Sequence, residues 1–176
     1  MRSTILTLAA AFVAVGGYAA LAQTAPEAGP DRSQDIAWMN GQQAYLSGLD
    51  AADGWRFLDG GLRWRRPEGD GSGAHPSVAD TVTVHYEGTF TDGEVFDSSF
   101  ARGEPATFPL GRLIPAWQRT IPLMGVGDTI EIAVPADLGY GPTGKGPIPG
   151  CRTSLLQVLL IDIPGDQIGS RSAVIF

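Results

Sequence analysis

From Val82 to Glu87 the chain alternates strictly, with Val82, Val84 and Tyr86 toward one side and Thr83, His85 and Glu87 toward the other. A period of two with one apolar face describes a strand that is buried on one side only. The pair Asp92-Gly93 follows within a few residues, and both residue types tolerate the positive φ angles of a tight hairpin turn. The core of this chain is therefore expected to form around an antiparallel pair. From Gly54 onward, glycine and proline punctuate other short alternating runs, which extends the pair into a small antiparallel sheet. The candidate strands are Leu62 with Trp64, Val82 to Tyr86, Phe96 to Ser98, Ile130 to Val134 and Ser154 to Ile163, about five in all.

One helical signature interrupts them. Ile114, Trp117, Ile121 and Met124 recur at helical spacing behind Pro115, whose missing N–H suits a first helical position, and Pro122 should stop the helix early. A sheet with one short helix across its concave face makes an α+β domain. A second, N-terminal helix is expected over Gln34 to Leu46, capped by Ser33, after a polar tail. The opening residues read differently: Arg2 precedes an apolar run from Ile5 to Leu21 that ends in Ala20-Leu21-Ala22, the pattern of a cleaved secretory signal. The expected organisation is a signal peptide over 1–22, a tail and short helix over 23–53, the sheet domain over 54–163 and a C-terminal tail over 164–176. The mature chain would start near Gln23, in the periplasm or outside the cell.

The formal net charge of −7 and the lack of any long basic run argue against nucleic acid as a partner. The short cluster Arg63 to Arg66, RWRR, reads as a solvated strand face around Trp64. The single cysteine, Cys151, cannot close an internal disulfide and reads as a packing residue. His75 and His85 lack the spacing of a metal site, so neither metal nor cofactor is expected.

Four blocks, VHYEGTFTDGEVFDSS, PATFPLGRLIPAW, PADLGYGPTG and IPGCRTSLLQVLLIDI, stand in the order and spacing of the FKBP-type peptidyl-prolyl isomerases. The chain resembles that family over Gly54 to Ile163, and its helix and export signal resemble the short secreted bacterial members related to the macrophage infectivity potentiators. The resemblance implies an FKBP-like fold, a strongly twisted sheet wrapped around one helix, and rotation of X-Pro bonds in exported proteins without a covalent intermediate. It implies that Tyr86, Phe96, Asp97, Trp117 and Tyr140 carry catalysis, and that Phe108, Leu113, Ile114, Ile148 and Leu156 bind substrate. In that assignment Trp117 forms the pocket floor, while the Ile114 N–H and the Tyr140 hydroxyl reach substrate carbonyls. The partners would be prolyl-containing polypeptides. A prolyl-binding module or holdase with little turnover is the alternative.

Two details bear on the site. Phe96 and Asp97 are adjacent, and successive residues of a regular strand face opposite ways, so both can border one cavity only if the strand bulges or ends there. Asp97 would then hold Tyr86 by a hydrogen bond, or else be a surface turn residue tied by Ser98 or Ser99. Against the family pattern, Ala106, Leu138 and Leu156 stand where aromatics are frequent, and Gly146 to Pro149 shorten the flap. These departures imply a wider cavity and weaker binding of macrolide inhibitors.

Overall fold

The computed structural model describes residues 31, 32 and 34–165. The expected signal peptide, the Ser33 cap and the end of the C-terminal tail lie outside the described residues. In chain order the elements are α1 (Ile36–Ser47), β1 (Arg56–Leu58), β2 (Leu62–Glu68), β3 (Thr81–Phe90), β4 (Val95–Ser98), α2 (Ser99–Arg102), β5 (Ala106–Pro109), α3 (Pro115–Thr120), β6 (Thr129–Val134) and β7 (Ser154–Asp162). The strands form one antiparallel sheet of order β1-β2-β6-β7-β3-β4, with β5 also paired to β3. The sheet has seven strands rather than about five. Both additional strands are too short to show a period: β1 has three residues and is largely exposed, and β5 has four and ends in Pro109, a residue suited to a sheet edge.

The concave face holds the core. Val82, Val84 and Tyr86 of β3 meet Leu156, Val158 and Leu160 of β7 and Ile130, Ile132 and Val134 of β6, all buried. Across this face lies α3, which presents Ala116, Trp117 and Thr120 and continues into a 3-10 turn over Ile121–Leu123. Pro115 occupies its first turn and Pro122 falls inside the 3-10 turn, so both ends follow the proline rules read from the sequence.

The N-terminal helix is shifted from its expected position. Its cap is Asp35, whose carboxylate accepts the Trp38 N–H at 2.9 Å, and the helix runs to Ser47. Ile36, Met39, Gln43 and Leu46 recur at roughly helical spacing, but they do not form the packed face. Ile36 is exposed, and the inward residue is Leu46, which joins Trp55 and Ala133 on the convex side of the sheet. The helix is further tied by Gln42, whose side chain accepts the Thr153 N–H at 2.9 Å, and by Trp38, which faces Arg152. Arg152 is buried, lies 3.6 Å from the centre of the Phe90 ring and bonds Asp92 in the hairpin turn.

The RWRR cluster is absorbed pairwise. Trp64 points into the core, Arg65 pairs with Glu131 at 2.6 Å and Arg66 pairs with Asp128 at 3.1 Å. Arg63 covers the Phe57 ring at 4.4 Å.

The register of β3 against β4 decides the question raised by Phe96 and Asp97. Gly88 pairs with Asp97 but Thr89 pairs with Val95, so Phe96 is an extra residue, a β-bulge. The bulge lays the Phe96 ring over Gly88, where an added Cβ would sit 2.4 Å from a ring carbon. Only glycine leaves room for that ring. Gly88→Ala is therefore expected to displace Phe96 and lower stability by about 1–3 kcal/mol, the usual cost of overpacking. Urea unfolding of the two forms checks this, and an unchanged midpoint would mean that the ring moves without cost.

Candidate active site

The cavity between α3, the bulged β4 and the 140–145 segment has a volume of about 180 Å³. That is below the ~300 Å³ of common small-molecule sites and suits one side-chain ring. Its floor is built from three rings in mutual contact, with Trp117 meeting the other two edge-on. Tyr86 meets Trp117 at 5.5 Å between centroids and 78°, Phe108 meets Trp117 at 6.2 Å and 80°, and Tyr86 meets Phe108 at 6.1 Å. Two strands, β3 and β5, and the helix α3 supply these rings, and Tyr86 and Trp117 are buried in the core. Edge-to-face packing holds each ring by its neighbours, so the floor is rigid and apolar.

The rim is polar. The Tyr86 hydroxyl donates to Asp97 Oδ2 at 2.5 Å, Arg102 Nη1 donates to Asp97 Oδ1, and Arg102 Nη2 donates to the Tyr86 oxygen at 3.0 Å. Asp97 thus holds Tyr86, the first of the two roles open to it. Burial opposes its ionisation, but the Tyr86 hydrogen bond and the Arg102 guanidinium outweigh that and hold its carboxyl below the usual carboxylate value. Burial and the bond to Asp97 push the Tyr86 hydroxyl up. Ser99, buried behind the rim, fixes the backbone at the same point, since its hydroxyl contacts both the N–H and the C=O of Tyr86.

Two hydrogen-bonding groups are left free for a ligand. Ile114 caps α3, where the helix cannot offer its N–H a partner, and among the described residues that N–H donates to nothing. Tyr140 borders the cavity with its hydroxyl similarly without a partner among the described residues, and burial, with the nearby charge of Asp97, pushes that hydroxyl up to about 12. The neighbouring Leu113 is held because Gln118 Nε2 donates to the carbonyls of Gly111 and Leu113, at 3.2 and 2.7 Å.

Seven of the ten expected site residues border this cavity: Tyr86, Asp97, Phe108, Leu113, Ile114, Trp117 and Tyr140. Phe96 lies behind the wall and supports Tyr140 edge-on, with ring centroids 6.1 Å apart. Leu156 is buried in the core on β7, and Ile148 is buried in the flap; neither borders the cavity, and nor does Ala106. Three cations went unnoticed in the sequence: Arg102, Arg112 and Lys145. No periodicity marks an exposed arginine or lysine, and the proximity of Arg102 to Asp97 arises from the one turn of α2. Cys151 takes a left-handed backbone, φ 56°, with its sulfur 3.8 Å from the Pro142 carbonyl. A larger hollow of about 310 Å³ on the convex face, near Tyr45 and Trp55, is crossed by the Arg65–Glu131 pair. It has no comparable aromatic floor, so the smaller cavity is the candidate site.

Comparison with known proteins bears on this cavity. The family model described as FKBP-type peptidyl-prolyl cis-trans isomerase matches residues 73–161. The FKBP-type peptidyl-prolyl cis-trans isomerase FkpA of Aeromonas hydrophila is 42% identical over 121 residues, 69% of this chain and 45% of its own length. The outer membrane protein MIP of Legionella longbeachae is 43% identical over 121 residues, 68% of this chain and 52% of its own. The crystal structure of FkpA from Escherichia coli superposes with a TM-score of 0.69 at 34% identity, covering 73% of this chain and 61% of that one. The chain spans about half the length of the curated relatives it matches.

Proposed function

The chain belongs to the family of FKBP-type peptidyl-prolyl cis-trans isomerases, and on that premise we propose that it catalyses rotation about X-Pro bonds of exported polypeptides at the cavity over Trp117. The observation that carries this reading is the pairing of an apolar aromatic floor with two unused hydrogen-bonding groups, the Ile114 N–H and the Tyr140 hydroxyl. Among the described residues, no serine, cysteine or histidine borders the cavity. The chemistry asks for none, because rotation breaks only amide resonance, a barrier of ~18–20 kcal/mol.

At the twisted transition state the amide loses resonance and becomes less dipolar. Transfer from water to an apolar cavity therefore favours it over either planar form. A rate gain of about 10⁵ corresponds to ~7 kcal/mol of such differential stabilisation. Trp117, Phe108 and Tyr86 exclude water, and the Ile114 N–H and Tyr140 hydroxyl hold the flanking carbonyls in a turn. Asp97 and Arg102 keep the Tyr86 ring upright. Export is supported by the leader pattern before Gln23 and by the similarity to a relative named an outer membrane protein. Among the described residues, no helix is long and apolar enough to cross a membrane. Macrolide inhibitors of this family would bind more weakly here, since Ala106, on the same face of β5 as Phe108, is too short to reach the cavity where an aromatic would extend its wall; titration against Ala106→Phe should show a gain in affinity.

Isomerisation of prolyl tetrapeptides tests the reading, and binding without turnover would instead identify a holdase. The pH profile tests the mechanism. Asp97 is held below the usual carboxylate value, Tyr86 is raised and Tyr140 stands at about 12, so none of them changes state near neutrality. kcat/KM is expected to be flat from about pH 6 to 8.5 rather than bell-shaped. Tyr140→Phe should cost at most about tenfold, since one hydrogen bond nets ~0.5–1.5 kcal/mol. Stability is expected to move only outside that window. The contribution of Asp97 is present above the ordinary carboxylate pKa and is lost as pH falls through its lowered value. That of Tyr140 is complete below the ordinary tyrosine pKa of ~10 and disappears as pH rises toward its folded value.

A further inference from the structure

The charges around the cavity are unevenly spent. Among the described residues, Asp97 is the one carboxylate bordering it, and it is already engaged by Tyr86 and Arg102. Arg112 and Lys145 border the same cavity, and neither has an acidic partner within ion-pair distance among the described residues. The arginines of β2 and α2, by contrast, each face a carboxylate or an aromatic ring. On a chain of net charge −7, a cavity mouth with two spare cations is an inversion of the surrounding field.

Both cations are carried on backbone that is pinned close to the cavity. Arg112 ends the turn Leu110–Arg112, whose Leu110 is fully buried and whose flanking carbonyls are held by Gln118. Lys145 and Ile148 exchange backbone hydrogen bonds in both directions at 3.0 Å, closing the flap tip over Gly146 and Pro147. The flap is tightened by Gly144, where an added Cβ would sit 2.0 Å from the Ile148 carbonyl oxygen. Long side chains on such anchors keep mobile heads but sweep a limited volume, and that volume is the cavity mouth.

We propose that Arg112 and Lys145 make the cavity selective for segments carrying an aspartate or glutamate next to the proline. The inference rests on the isomerase reading above and narrows its substrate class. Within a Debye length of ~10 Å the local cations outweigh the more distant acidic surface, so a carboxylate beside the bound proline is attracted and an ammonium is repelled.

The test uses two tetrapeptide series, Ala-Xaa-Pro-Phe and Ala-Ala-Pro-Xaa, with Xaa as Glu, Gln or Lys. Isomerisation is followed by NMR exchange, so that no coupling protease adds its own preference. In at least one series the expected order is Glu over Gln over Lys, with Glu exceeding Lys by about three- to tenfold at ~20 mM salt and by much less at ~300 mM. Arg112→Gln with Lys145→Gln should bring the ratio toward one, whereas Lys145→Arg should retain it. A Glu to Lys ratio within about twofold at low salt, while Ala-Leu-Pro-Phe is turned over, would overturn the selectivity and leave the isomerase reading standing. If no peptide is turned over, titration of the intrinsic tryptophan fluorescence separates the two readings: the same Glu over Lys order in binding upholds the selectivity and sinks only the catalysis, and equal binding sinks both.

Discussion

Trp117→Ala is expected to lower kcat/KM on prolyl peptides by about a hundredfold, the largest loss from any single change at the cavity. The indole is 6% exposed, forms the floor and is the ring that both Tyr86 and Phe108 meet edge-on. Its removal opens the floor to water, and a hundredfold loss asks for ~2.7 kcal/mol of the ~7 kcal/mol of transition-state stabilisation assigned to the site. The same truncation costs ~3–5 kcal/mol of stability, because it leaves a hole between α3 and β3 that the surrounding rings cannot fill. The two effects separate with Trp117→Phe, which keeps an aromatic floor of smaller area and should recover most of the stability and a part of the rate. Steady-state kinetics beside urea unfolding reads both. A folded Trp117→Ala protein with activity within about threefold of the wild type would show that the floor does not exclude water during turnover.

Asp128→Ala is expected to cost ~3–5 kcal/mol, the range for removing one partner from a buried ion pair. Asp128 is 3% exposed, its carboxylate lies 3.1 Å from Arg66 Nε, and it accepts the N–H groups of Gly71 at 3.2 Å and Gly125 at 2.8 Å. It therefore fastens the 69–72 loop to the turn that precedes β6. The approach there is close: a Cβ at Gly125 would meet the Ser72 carbonyl oxygen at 1.6 Å. Removing the carboxylate leaves the Arg66 guanidinium with the Leu123 carbonyl as its remaining acceptor in a largely buried position. Asp128→Asn keeps an acceptor for one glycine N–H and should fall between the two. Urea unfolding measures the series, and a loss below about 1 kcal/mol in Asp128→Ala would show that water repairs the site.

Much of this site was legible because its parts announce themselves locally. The alternation of Val82, Val84 and Tyr86 placed β3, Asp92-Gly93 placed its turn and Pro115 placed the start of α3, so the rings of Tyr86 and Trp117 fell on facing surfaces. The adjacency of Phe96 and Asp97 announced a bulge, because one face cannot hold both on a regular strand. What no period conveys is packing depth. Leu156 and Ile148 occupy positions that the family resemblance placed at the pocket, and both are buried outside the lining of this cavity. The helical spacing of α1 likewise did not mark its packed face, since α1 buries little and its cap, rather than its apolar spacing, set the start.

By itself, then, the sequence determined which side chains face inward along β2, β3, β6, β7 and α3, since those periods are properties of the backbone and survive without any tertiary contact. Tertiary structure alone decided which inward residues border a void and which fill one, because a cavity is the space left over after strands, helix and flap have packed at near-crystalline density. It alone also brought Arg102, Arg112 and Lys145 to the rim. A long charged side chain carries no period, and where its head comes to rest is set by the anchors and opposite charges that the fold happens to bring within reach.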